Sequence, residues 1–159
     1  HYFLHKILEE KIPYPIQIFH AQRQFLNYSY VDEGEYKSLL ETIKSFINSP
    51  YLWGGKTKYG VDCSGLVQSI FKTLNIILPR DSKDQSDFGI EIKEGYKVGD
   101  LAFFGENVNK ISHVGILVDN ETIVHAYGKV RMDKINSKGI YNTEEERITH
   151  FLQKVKRII

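Results

Sequence analysis

The sequence predicts an α+β fold: two N-terminal helices followed by an antiparallel sheet. Three observations carry this. Apolar residues recur at helical spacing over residues 35–48 and 63–74. After the loop "LPRDSKDQSDFG" the pattern changes to alternation in "VGDLAFFG", "SHVGILVD", "TIVHAYG" and "ITHFLQKVKRII". The connections between these runs are short, which suits strands that pair with their sequence neighbours.

Along the chain, residues 1–33 and the turn that follows them contain "IPYPIQIFHAQRQFLNYSYVDEGE", which alternates around two prolines and ends in turn residues. It is expected to be extended or β-rich, as the tail of a preceding β-domain or as the first strands of this one. Residues 34–159 form the main domain. Its first helix buries Leu39, Leu40, Ile43, Phe46 and Ile47 and stops at Ser49-Pro50, because a residue before proline is pushed out of the helical region. The second helix starts at Cys63 and buries Leu66, Val67, Ile70, Phe71 and Leu74. No internal repeat and no low-complexity segment interrupts the pattern.

Composition narrows the function. The 21 basic and 20 acidic residues leave a formal charge of +1 and form no long runs, so neither nucleic acid nor a basic membrane surface is expected as a partner. No apolar stretch approaches the 18 or so residues that span a bilayer. The chain opens "HYFLHKILEEKIPYP", with neither an initiator Met nor a signal-peptide pattern, and is expected to be a processed or truncated form of a longer one. A single cysteine excludes an internal disulfide and every multi-cysteine zinc site. There is no HExxH pair, so no metal or other cofactor is expected. "GKT" at 55–57 resembles the end of a phosphate-binding loop, but Pro50 stands where that loop needs glycine.

Cys63 is the residue with chemistry to offer. It begins an amphipathic helix, where unpaired amides and the helix dipole favour a thiolate. Ser64 and Gly65 beside it are small, and the first apolar position is Leu66, which puts the cysteine at an exposed helix tip. A nucleophilic thiol needs a base, and His113 and His125 lie on neighbouring strands of a tight hairpin. A three-residue turn at 119–121 would pair Val118 with Thr122 and make paired numbers total 240. His113 then faces Tyr127, and His125 is its diagonal neighbour on the same face, roughly 7–8 Å away between backbones.

The ordered elements "YLWGG", "DCSGLVQSIF", "LPRDSKDQ", "VGDLAFF" and "ISHVGILVDNETIVHA" resemble the NlpC-type cell-wall cysteine peptidases, a papain-like family acting on bacterial peptidoglycan peptides. The resemblance covers about residues 51–133. It implies a papain-like arrangement with N-terminal helices packed on a central antiparallel sheet. It also implies Cys63 as nucleophile, His113 as base and His125 as the residue orienting that base. Tyr51 would line the oxyanion site, with Trp53 and Tyr59 as competitors for the role. Asp62, Ser64 and Ser82 would hold substrate, Asp62 alternatively serving only as the helix cap. The implied bond joins D-glutamate, through its γ-carboxyl, to the following diamino acid. That leaves a free α-carboxylate, which Arg80 could grip unless it is merely a solvated loop residue. The implied mechanism pairs a Cys63 thiolate with a His113 imidazolium. The implied setting is the bacterial cell envelope, periplasmic or secreted, with cytoplasmic recycling as the other option. Relatives of this type carry SH3-like domains upstream, of which residues 1–33 could be a remnant. Two rivals stand beside this reading: a papain-like amidase or acyltransferase on another substrate, and a non-catalytic binding module.

Overall fold

The computed structural model describes residues 33–159. The expectation of an extended segment over residues 1–33 therefore falls outside the described residues, apart from its last position. That residue opens helix α1, Glu33–Phe46. Leu39, Ile43 and Phe46 are buried, as their spacing predicts. The helix ends two residues short of Asn48, which takes a left-handed conformation (φ 66°) and donates its N–H to the Val130 carbonyl at 2.9 Å. Helix α2, Cys63–Lys72, buries Leu66, Val67, Ile70 and Phe71 completely. It is capped at its far end by Thr73, whose N–H returns to Ile70 and Phe71.

Two short strands between the helices, β1 (Lys56–Thr57) and β2 (Gly60–Val61), form a small hairpin that periodicity did not reveal. The loop after α2 contains one turn of helix, α3 (Ser82–Gln85), and the short strand β3 (Ile90–Glu91). Then come β4 (Leu101–Gly105), β5 (Ile111–Leu117), β6 (Thr122–Tyr127), β7 (Lys129–Asn136), β8 (Gly139–Asn142) and β9 (Arg147–Arg157). All pairings in the main sheet are antiparallel, in the order β3-β9-β4-β5-β6-β7-β8, and β9 also pairs with β8.

That last pairing corrects the expected architecture. Helices laid on an open meander are not what the chain builds; the sheet curls until its two sides meet along β9, giving a barrel with few helices. Register shifts within β4 and between Ile140 and Tyr141 of β8 help the strands turn, as bulges do. The alternation along β4 divides the interior. Leu101 and Phe103 join the α1 and α2 side chains in one core, while Ala102 and Phe104 join Leu117, Ile123, Ile135, Ile140 and Val155 inside the barrel. Among the described residues, no helix is long and apolar enough to cross a membrane.

The hairpin count is met. Gly115 pairs with His125, Ile116 with Val124 and Leu117 with Ile123, and the Val118 N–H reaches the Thr122 carbonyl at 3.0 Å. His113 and His125 therefore share a face.

Candidate active site

The site begins at the head of α2, where two sequence elements close on each other. Asp62 caps the helix: its Oδ1 accepts from the Gly65 N–H at 2.7 Å, and its Oδ2 accepts from the Gly54 N–H at 2.8 Å. The Asp62 N–H in turn reaches the Gly55 carbonyl at 3.2 Å. Gly65 is needed here for close approach, since a Cβ on it would stand 2.2 Å from the Gly55 oxygen. "WGG" and "DCSG" are thus two halves of one clasp.

Arg80 closes the clasp from the third side. Its Nη1 donates to Asp62 Oδ1 at 3.1 Å and to Ser64 Oγ at 2.8 Å, and its Nη2 bonds Asp62 Oδ2. Burial alone would raise the Asp62 carboxyl, but the Arg80 bonds and the Gly65 and Gly54 amides outweigh it and hold the group below its ordinary 3.8. The Arg80 fork that sequence reasoning aimed at a substrate is engaged with Asp62, leaving its outer edge exposed (33% of the side chain). Gln85, fully buried, ties the loop to the helix by donating to the Ser64 and Pro79 carbonyls at 3.1 and 2.8 Å. Ser82 is buried at the start of α3 and stands outside the Asp62–Arg80–Ser64 bonds.

Cys63 is not at an exposed tip: only 9% of it is accessible, because β5 packs over the helix head. Its sulfur lies against the Val114 N–H, the backbone group directly after His113, and against the N–H groups of Ser64 and Cys63 itself. These donors favour a thiolate, yet burial outweighs them, and the Asp62 charge adds to it. The thiol is pushed above its ordinary 9.0. Burial, then the neighbouring His125 and His150, push the His113 imidazole well below 6.5. Burial thus disfavours the charged form of each group, whereas the resemblance implied a thiolate–imidazolium pair. Tyr51 is held beside them by its N–H on the Gly128 carbonyl at 3.0 Å, and its hydroxyl titrates high through burial and the charges of Cys63 and Asp62. Trp53 and Tyr59, its competitors, are 85% and 93% exposed.

Behind His113 runs a chain of hydrogen bonds. His113 Nε2 and His125 Nδ1 are 2.9 Å apart, and His125 Nε2 lies 2.9 Å from Asp133 Oδ2. Arg131 binds the same carboxylate, at 2.7 Å from Nε to Oδ2 and 3.1 Å from Nη2 to Oδ1. The protons can be assigned by donor logic. Asp133 is held below 3.8 despite its burial by the His125 and Arg131 bonds, so it is an acceptor only. His125 therefore donates from Nε2 and, in its neutral form, accepts at Nδ1 from His113 Nε2–H. The nitrogen of His113 left bare is Nδ1, the one able to take a proton.

Sequence reasoning missed Asp133 and His150. Asp133 lies on β7, a strand disguised by four charged residues in eight. Its only signal was a buried-side position two residues from an arginine. His150 sits in the last predicted strand, but nothing in the sequence showed that β9 would return to the site. Its ring stacks on His113 with 4.1 Å between centroids and 27° between planes. One nitrogen from each of His113, His125 and His150 lies within 4.8 Å of the others, a cluster that helix-turn spacing cannot detect.

Known proteins resemble this chain in sequence and fold. The family model described as "NlpC/P60 family" matches residues 48–147. A Bacillus subtilis gamma-D-glutamyl-L-lysine dipeptidyl-peptidase is 38% identical over 97 residues, covering 59% of this chain and 33% of that protein. The probable endopeptidase NlpC of Escherichia coli is 39% identical over 92 residues, covering 55% of this chain and 59% of its own. The chain thus spans about a third of the first relative and under two thirds of the second. The crystal structure of an NlpC/P60 family protein from Bacillus cereus superposes with a TM-score of 0.65 at 29% identity, over 77% of this chain and 40% of that one. Its fold is the papain-like one of that family, and this chain belongs to the NlpC/P60 family.

Proposed function

We propose that the chain is a cysteine endopeptidase of bacterial cell-wall peptides, acting on the bond between the γ-carboxyl of D-glutamate and the following L-diamino acid. The observation that carries this is the juxtaposition of the Cys63 sulfur with the strand residue after His113, whose ring is chained through His125 to Asp133. The names of similar proteins support the substrate class.

His113 acts as a general base during attack. The Cys63 proton moves to His113 Nδ1 as sulfur bonds the amide carbonyl carbon, and the carbonyl π electrons go to oxygen. The Cys63 N–H and the Tyr51 hydroxyl receive that oxyanion. Collapse breaks the C–N bond, and the His113 proton leaves with the amine. Water, deprotonated by His113, then cleaves the thioester. As the imidazolium forms, Asp133 stabilises it through His125. Asp62 neutralises Arg80, so a substrate α-carboxylate would find hydrogen-bond donors at the outer edge of Arg80 and at Ser64 and Ser82, with little net charge. The setting proposed is the cell envelope.

Digestion of purified peptidoglycan, with fragments identified by mass, tests the reading. Free dipeptides or stem fragments cut after γ-D-glutamate are expected from the wild type and not from Cys63→Ala. Cleavage by folded Cys63→Ala, or no cleavage by either, would refute it.

A further inference from the structure

Hydrolysis as proposed asks the His113 ring to hold one attitude while it gains and loses a proton at Nδ1. The ring is tied to His125 through Nε2 at 2.9 Å. That nitrogen lies near the axis of the ring's own torsion, so the bond restrains rotation weakly, whereas rotation swings Nδ1 directly. The torsion of a histidine ring is broad and offers little resistance of its own. The restraint comes from the face. His150 of β9 lies flat on His113, with 4.1 Å between centroids and 27° between planes, while Phe104 meets the ring at 5.9 Å and a tilted 48°. His150 is itself fixed. Its Nδ1 lies 2.9 Å from Thr149 Oγ1, and Tyr127 and Phe104 stand edge-on to it at 5.0 and 6.2 Å. The backbone aims it there too. Opposite β8, Ile140 pairs with His150 and Tyr141 with Ile148, so Thr149 is the extra residue of a bulge, a device that redirects the side chain beside it.

We propose that His150 is a positioning residue for the base: its flat ring holds the plane of His113, so that Nδ1 stays where the thiol proton can reach it. The consequence for turnover rests on the proposed hydrolysis; the packing does not. Rotation of His113 would drive its edge into the His150 face, and an interior packed this closely does not yield to that. Charge suits the role as well. Burial, then His125, lower the His150 imidazole to about 4; Asp133 and Glu145 pull the other way, and Arg147 adds to the lowering. Above that pH an uncharged face lies against His113 as its ring becomes cationic. A charged neighbour would oppose the imidazolium, whereas a π face attracts it. The face does this and not the ring nitrogens. Phenylalanine should therefore replace His150, and leucine, of similar bulk but not flat, should not.

Two readouts test the role, and one of them needs no substrate. In the 159-residue protein carrying isotope-labelled histidine, nuclear magnetic resonance should show one sharp set of His113 ring signals in the wild type and in His150→Phe. His150→Leu should give broadened or multiple signals. In hydrolysis of peptidoglycan fragments, His150→Leu should lower kcat by roughly 10–100-fold with KM little changed, because a misplaced base costs rate more than binding. His150→Phe should stay close to the wild type. Circular dichroism confirms that each variant is folded, and His150→Met serves if the Leu variant is not. A wild type that cleaves nothing would sink the hydrolytic reading and leave the resonance measurement to decide the positioning role. Sharp single His113 signals in His150→Leu, or equal kcat in the Leu and Phe variants at the wild-type level, would show that His150 only fills space and overturn the proposal. A Phe variant as slow as the Leu variant would move the role to a ring nitrogen and overturn it as well.

Discussion

Replacing Asp62 by alanine tests whether this residue holds the structure or the substrate. The substitution removes the acceptor at the head of α2, a loss of about 1 kcal/mol. It also leaves the Gly54 N–H and the inner edge of Arg80 without their partner. Breaking a fully buried pair costs about 3–5 kcal/mol, but a third of the Arg80 side chain is exposed, so solvent reduces that part to about 1–2 kcal/mol. The expected destabilisation is about 2–4 kcal/mol, or a fall in Tm of roughly 5–15 °C for a chain of this size. Asp62→Asn retains the capping oxygen and should recover about 1 kcal/mol. Thermal unfolding followed by circular dichroism reads this directly. The folded carboxyl titrates below its unfolded value, so its contribution is complete above about pH 4 and fades as pH falls through the folded value. The gap between wild type and Asp62→Ala should therefore narrow in acid. An unchanged Tm together with a raised KM would refute the structural role and place Asp62 on the substrate.

Three further outcomes are expected. Iodoacetamide should inactivate the substrate-free protein slowly at neutral pH and faster as pH rises towards and past 9, because burial raises the thiol; rapid, pH-independent alkylation would contradict this. The acid limb of kcat/KM should lie below 6.5, since protonating the buried His113 removes the base, and an acid limb above 6.5 would point to another group. Asp133→Ala should lower kcat by roughly 10²-fold or more with little change in KM, as its loss frees the tautomers of His125 and His113; equal loss in both parameters would indicate general collapse.

The local periodicities were legible because each reports one face of one element. Leu66, Val67, Ile70 and Phe71 announced α2, and the three-residue turn fixed the β5–β6 register and with it the shared face of His113 and His125. What stayed hidden depends on distant pairing. In β7 the buried positions are Val130, Asp133 and Ile135, and a buried aspartate reads in sequence as an exposed one. Its burial makes sense only with His125 and Arg131 beside it. The small residues after Cys63 suggested open access, but it is β5, fifty residues later, that covers the sulfur and reverses the expected shift of the thiol. Arg80 was read as a partner for substrate because its internal partner, Asp62, lies across a loop whose path the sequence does not trace.

Strand β9 carries a consequence for how the protein is made. It pairs with β3 and β4 far upstream and with β8 next door, so the ring of strands closes only when β9, the last of the described strands, arrives. Such non-local pairing raises contact order and slows folding, since loop-closure entropy must be overcome before those contacts form. A nascent chain lacking β9 exposes the unpaired edges of both β4 and β8, a template for aggregation. It also lacks His150. Completion of the barrel is therefore a late checkpoint: an unfinished chain has Cys63 on its helix but neither the closed wall nor the full imidazole cluster around it.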